Sequence, residues 1–347
     1  MIENKNLILN IEGVDFSPKN PLIIAELGTS HGGKIEKAKA LIDAAAKAGA
    51  GCIKVQMVFA GEILHPNTGV VPLPGGEIRL YDQFKALEMN AEFYIEIKKY
   101  TEAAGLLFLC TPFGMKSASI LRKMQPKMVK IASPELNFTS LLEEIATWNL
   151  PVLLSAGVSR LSDIETAVAI FREEFTQRHK GTEDLNVNAA NVCILHCVTS
   201  YPAPETDYNL RLIPNLSAIF GVPVGVSDHS ADPELIPALA VSLGAAVVEK
   251  HFCLSKDDPG LDDPIALEPQ DFSKMTEAIR QAAQSSAQET ISHYSRTRGQ
   301  DLVQQILGSG IKELAPSEKA NYKLTNRSIH ALRDIQKDVS INILKLK

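Results

Sequence analysis

Glu249 and His251 stand two residues apart at the end of an apolar run, AAVVEKH (245–251), so the pleat of a strand turns both to one side. His229 lies at the end of the preceding run of this kind, in VGVSDHS (224–230). On neighbouring strands the two imidazoles can meet, giving the donor set of a divalent-cation site with open positions. Lys54 and Gln56 repeat the spacing of two inside CIKVQM (52–57). A lysine within an apolar strand is costly unless a negative charge meets it. Lys54 and Lys130 therefore pair with Glu26, Glu135 or Glu249, or they face an anionic ligand. The hydroxyls of Thr111, Ser133, Ser155 and Ser227 at the same ends favour the ligand, and Thr199 stands with them in the inventory of strand ends. His196, Tyr201, Asp228 and Lys250 complete the polar inventory. Two ammonium groups, several hydroxyls and a cation site suit a compact ligand with phosphate and carboxylate ends, reacting with a carbonyl compound.

The elements that must position these groups are regular. Apolar runs at 22–27, 52–57, 106–111, 128–132, 151–155, 191–197, 222–227 and 245–251 are each followed by a helical pattern. Short apolar runs alternating with helices imply parallel strands covered on both faces. Eight such units in about 265 residues match a (β/α)8 TIM barrel, whose functional groups sit at the C-terminal ends of the strands. An open doubly wound sheet is the competing architecture. GTSHGG after the first run has neither the GxGxxG spacing nor the acidic residue about 20 positions on that a dinucleotide site requires.

The first twenty residues read as a short antiparallel lead-in, and the barrel is expected over 1–290. Residues 291–324 are polar, with GSG and AP punctuation, and read as a linker with one short helix. The stretch 325–347 has strand-like alternation and is too short to fold alone.

The formal charge of −6 and the dispersed basic residues argue against nucleic acid as a partner. Residues 1–20 contain charges and no long apolar run, so neither a signal peptide nor a membrane span is expected, and the expected location is cytoplasmic. Five scattered cysteines, four of them inside strand-like runs, read as small buried hydrophobes in a reducing compartment.

IIAELGTSHGG, IKVQ, CTPFG, KIASPEL, PVLLSAG, LHCVTSYPAP, VGVSDHS and VVEKHF, in this order and spacing, resemble the sialic acid synthase family, with its related nonulosonic acid and spore-coat polysaccharide synthases. The match runs from about Leu22 to Pro269, and GSGIKELAPSE with NRSIHALRDI resembles the linker and the opening of that family's antifreeze-like domain. The resemblance implies an enzyme that condenses phosphoenolpyruvate with N-acetylmannosamine or a related acylamino sugar and releases phosphate by C–O cleavage. It implies Lys54, Thr111, Lys130, Ser133, Ser155 and Ser227 around phosphoenolpyruvate, and His229 and His251 around manganese or magnesium. Glu26, Tyr201 and Asp262 would face the sugar, Gln56, Glu135 and Glu249 would be further active-site positions, and Thr199 lies within the matched LHCVTSYPAP. Glu26 is the leading candidate for proton handling, with Glu249 and Asp262 as rivals. Arg327 matches an arginine that one subunit offers to its partner, so a homodimer is expected. Asp263 stands where the family usually has histidine, and Asp338 where it has glycine, so 325–347 is expected to be a truncated antifreeze-like segment. Two other readings remain: a phosphoenolpyruvate-dependent aldol synthase acting on a phosphorylated sugar, and a degenerate barrel that binds a phosphorylated metabolite without turnover.

Overall fold

The computed structural model describes residues 7–73, 76–180, 191–329 and 334–337. Eight parallel strands form one sheet: β1 Leu22–Glu26, β2 Cys52–Met57, β3 Leu107–Pro112, β4 Val129–Ile131, β5 Val152–Ser155, β6 Val192–Cys197, β7 Val224–Asp228 and β8 Val247–His251. Hydrogen-bonded neighbours follow the order β3-β2-β1-β8-β7-β6-β5-β4, and β4 packs beside β3 to bring the sheet close to a closed ring. Every strand residue of β1, β4, β5, β6, β7 and β8 is buried, as expected of strands covered on both faces.

Helices α1 Ile35–Lys47, α2 Ala91–Ala103, α3 Met115–Lys123, α4 Thr139–Ala146, α5 Leu161–Arg178, α6 Leu212–Phe220, α7 Leu235–Ser242 and α8 Pro269–Gln284 alternate with the strands. Their buried residues recur at helical spacing, such as Ala38, Leu41, Ile42 and Ala45 on α1. The Asn90 side chain caps α2 by accepting from Phe93 N at 3.0 Å.

The expected antiparallel lead-in is present as Leu9–Ile11 paired with Val14–Phe16. Leu9 and Ile11 plug the bottom of the ring, packing with Leu22, Ile24, Cys52, Leu109, Met128, Leu153, Cys193, Leu195 and Val247. The ring is therefore filled below with apolar side chains and polar only at the other end. The segment between β2 and α2 holds short helices at Ala60–Ile63 and Leu80–Ala86, and an antiparallel pair, Val71–Leu73 with Gly76–Ile78, where a plain loop was expected.

Residues 291–324 correct the linker expectation. α8 stops at Gln284, α9 spans Ala287–Arg298 and α10 spans Gln300–Leu307, so a boundary at 290 would cut a helix. The cause lies in α7, which is apolar all round and buried from Leu235 to Val241. A helix of that kind needs cover on its outer side, and α9 packs there. Ser286 and Glu289 form the capping box that starts α9. Val303 and Ile306 of α10 are fully buried. Of the expected antifreeze-like segment, 330–333 and 338–347 lie outside the described residues. All five cysteines are free and buried. Among the described residues no helix is long and apolar enough to cross a membrane.

Candidate functional site

Strand register assembles the site. In the ladder His251 pairs with Glu26 and Glu26 with Lys54, while Gln56 pairs with Thr111, Leu195 with Ser155 and Ser227 with Glu249. Residues of the same parity further down these strands, such as Ile24, Cys52, Leu109, Leu153 and Val247, belong to the apolar floor. Each inward face therefore turns from apolar to polar as it climbs toward the C-terminal rim.

Above the floor, Lys54 and Glu249 form the centre. Lys54 Nζ lies 2.8 Å from Glu249 Oε1 and 3.1 Å from Glu26 Oε2. Gln56 Nε2 donates to Glu26 Oε1 at 2.9 Å, and Ser227 Oγ donates to Glu249 Oε1 at 2.9 Å. Lys130 Nζ donates to Ser155 Oγ at 2.6 Å and sits 3.7 Å from Glu249 Oε1. Burial alone would raise the Glu249 carboxyl, but the Lys130 and Lys54 ammonium groups overcome it and hold its pKa at about 2. Burial lowers Lys54 to about 8 against the pull of Glu249, so both partners are charged near neutral pH. The lysines are thus already balanced by carboxylates.

The ion pairs leave two hydroxyls and a carboxylate oxygen unexplained. Thr111 Oγ1, Thr199 Oγ1 and Glu135 Oε2 are buried at this rim without a hydrogen-bond partner. Groups of this kind are costly unless a ligand or water completes them. Ser133 Oγ accepts from Gly157 N at 3.1 Å, next to Thr199. A Cβ at Gly157 would lie 2.2 Å from Thr199 Oγ1 and 2.9 Å from Ser133 Oγ, so only glycine lets the two hydroxyls approach each other.

The two imidazoles do converge. His229 and His251 have ring centroids 5.6 Å apart, Tyr201 lies against His229 at 4.3 Å, and Asp262 Oδ2 is 3.7 Å from His251 Nδ1. His229 Nδ1 is 2.8 Å from the Val198 carbonyl, which fixes a proton there and leaves Nε2 as the nitrogen open to a cation. Burial opposes the charged imidazole, but Cys197 and the Val198 carbonyl raise its pKa, so a metal ion would have to displace a proton from Nε2. Burial and the neighbouring His229 push His251 well below the ordinary imidazole pKa, keeping it in the neutral form a metal ion binds. Among the described residues no group of three or more His, Cys, Asp or Glu is arranged to hold a metal ion. The pair fits a cation that takes two protein ligands and completes its shell with water or substrate oxygens.

Glu135 and Arg327 close the far side. The Arg327 guanidinium bonds Glu135 Oε1 and also donates to Ile63 O at 2.7 Å and Phe113 O at 3.0 Å. Burial raises Glu135 to about 7 even with Arg327 opposing the shift. Arg327 was expected to serve a partner's site, whereas here it reaches the rim of its own chain.

Three members of the polar inventory are not part of the mouth. His196 has the opposite parity and bonds the Tyr208 carbonyl. Lys250 and Asp228 likewise pair with each other at 2.7 Å, and Lys250 Nζ donates to Ser230 O at 2.6 Å. One residue was missed: Glu318, 1% exposed, accepts from Val158 N at 3.0 Å and Thr199 N at 2.9 Å. It lies in a polar, non-periodic stretch, where nothing in the sequence separates a buried carboxylate from a solvated one.

A profile of the NeuB family matches residues 41–290. The spore coat polysaccharide biosynthesis protein SpsE of Bacillus subtilis is 34% identical, over 91% of this chain and 79% of its own. An N,N'-diacetyllegionaminic acid synthase of Campylobacter jejuni is 31% identical, over 92% of this chain and 87% of its own. The crystal structure of an N-acetylneuraminic acid synthetase from Leptospira borgpetersenii, solved with citrate, superposes with a TM-score of 0.70 at 30% identity, covering 84% of this chain and 98% of that one.

Proposed function

Given that the chain belongs to the NeuB family, we propose that it condenses phosphoenolpyruvate with an acylamino sugar, N-acetylmannosamine or a related hexosamine, to give a nonulosonic acid and phosphate. The observation that carries this reading is the set of orphaned hydroxyls, Thr111 Oγ1 and Thr199 Oγ1, beside Lys130, Ser155 and Ser133 on a single rim. The Lys54–Glu249–Lys130 cluster alone would account for a folded core, but not for those hydroxyls.

In this reading Lys54, Lys130, Thr111, Ser133, Ser155, Thr199 and Ser227 bind the phosphate and carboxylate of phosphoenolpyruvate. An anion arriving there competes with Glu249 for two ammonium groups it already holds. Glu249, kept ionised, then faces the positive charge that develops at the enol carbon. The methylene carbon of phosphoenolpyruvate forms a bond to the aldehyde carbon of the open-chain sugar, and the aldehyde oxygen takes up a proton. Water adds to the cationic carbon and loses a proton. The resulting tetrahedral carbon expels phosphate as its C–O bond breaks, leaving a ketone. Glu26, oriented by Gln56 and Lys54, handles the proton at the aldehyde, with Asp262 and Tyr201 on the sugar side. His229 and His251 would hold manganese or magnesium, which supplies Lewis acidity toward a carbonyl oxygen. Glu135, near neutral pKa and bonded to Arg327, shapes the sugar side of the mouth.

The test is an acceptor screen with mass detection. Incubating the protein with phosphoenolpyruvate, a panel of acylamino hexosamines and manganese or magnesium is expected to give one product three carbons longer than its acceptor, with equimolar phosphate. Omitting the acceptor or chelating the metal is expected to abolish both. Turnover that survives chelation, or phosphate without the longer acid, would count against the reading.

A further inference from the structure

We propose that Glu318 is a positioning residue for the anion cradle, its carboxylate brought in from outside the barrel to set the two rim loops that follow β5 and β6. The inference rests on the functional reading above and assigns part of that site's geometry to a segment beyond the eight βα units.

The segment is a strap. After α10 it turns at Gly308 and Gly310, whose φ values of 61° and 77° suit glycine. It then climbs the loop between β6 and α6. Asn209 Nδ2 donates to Ile311 O at 2.9 Å, Asn215 Nδ2 to Gly310 O at 2.8 Å, and Ser317 N to Asp207 Oδ2 at 2.9 Å. At the rim it delivers Glu318. Oε2 accepts from Val158 N and Thr199 N, and Oε1 accepts from Ala315 N at 3.1 Å. Asn321 Nδ2 adds a bond to Thr199 O at 2.9 Å.

The two amides that share Oε2 belong to successive rim loops, and both loops carry cradle groups. Val158 follows Gly157, whose N–H donates to Ser133 Oγ, and lies three residues beyond Ser155. Thr199 presents the orphaned hydroxyl. Val158 also has a φ of 42°, a conformation that a β-branched residue adopts only when its surroundings impose it. A buried carboxylate on its N–H is such an imposition. All three groups that Glu318 meets are N–H donors, so an amide in its place must turn its NH2 toward Ala315 N or toward both rim amides. At best it holds Val158 N and Thr199 N by neutral hydrogen bonds weaker than those to a carboxylate.

The sign of the effect separates positioning from charge. Glu318 is negative and close to a proposed anion site, so removing its charge alone would tighten anion binding. The proposal expects the opposite. The experiment titrates the full chain, as wild type, Glu318→Gln, Asn321→Ala and Lys130→Met, with phosphoenolpyruvate and with inorganic phosphate by calorimetry. Amide hydrogen exchange of peptides covering 155–160 and 197–201, and the melting midpoint, are measured on the same samples. Glu318→Gln is expected to raise the Kd for both ligands at least tenfold and to speed exchange in both peptides at least tenfold, while exchange in α8 stays unchanged. Asn321→Ala, which cuts the strap's other bond to Thr199 without touching a buried charge, is expected to give a smaller change of the same sign, and it keeps the test open should Glu318→Gln fold poorly. Lys130→Met is expected to weaken both ligands with exchange in the two peptides unaltered. Unchanged or tighter binding in Glu318→Gln, or retained protection of the two peptides, overturns the proposal while leaving the functional reading in place. If the wild type takes up neither ligand, the functional reading fails and the cradle falls with it.

Discussion

Burial holds the imidazoles of His31 and His196 near a pKa of about 4, against an ordinary value of 6.5. Between those values the unfolded chain binds a proton that the folded chain refuses. The stability from each neutral histidine is therefore complete above pH 6.5 and lost as pH falls toward 4. Between pH 7 and pH 5 the loss is about 2 kcal/mol per histidine. Glu135, raised to about 7, acts in the opposite direction over the same range, so the wild-type curve mixes the two. His196→Gln, which keeps a donor for the Tyr208 carbonyl, isolates one of them. Its denaturant-derived stability is expected to fall between pH 7 and pH 5 by about 2 kcal/mol less than that of the wild type. Equal losses would show that His196 does not resist protonation. The same residue marks how far a sequence reading of the rim goes. His196 and Lys250 sit in the right strands but at the wrong parity, and register, which fixes parity, comes from pairing that only the fold supplies. Glu249 and His251, spaced by two, were legible because both lie on one strand.

At the scale of elements, all eight strands and their following helices were readable, because each is a short apolar run or a helical period with few competing signals. The region after 290 was not. α9 is too polar to announce itself, and its role depends on the bare outer face of α7; α10 is amphipathic, but it packs on α9 and on the turn at Glu205–Asp207, and both are tertiary circumstances. Ile306 is fully buried, and its carbonyl accepts from Leu210 N at 2.9 Å. Ile306→Ala is expected to cost about 2–5 kcal/mol and to lower the midpoint of a single cooperative transition. A melting curve with unchanged midpoint would restore the view of 291–324 as a linker hung on an independent barrel.

For the molecule as a whole, the division of labour runs along the barrel axis. The N-terminal hairpin and the lower inward residues fill the ring with apolar side chains, and the upper inward residues form a ring of paired charges and free hydroxyls. The strap from α10 crosses that rim and ends with Arg327 on Glu135 of its own chain. Two lysines, two histidines and their carboxylates, far apart in sequence, meet there because parallel strands bring all their C-terminal ends to one side. On the proposed function, this rim cleaves the C–O bond of phosphoenolpyruvate. The most direct measurement supplies phosphoenolpyruvate labelled with 18O at the bridging enol oxygen, together with an acylamino hexosamine and a divalent cation, and weighs the phosphate released. The label is expected to leave with the phosphate; label retained in the organic product would mean P–O cleavage and would overturn the proposed function.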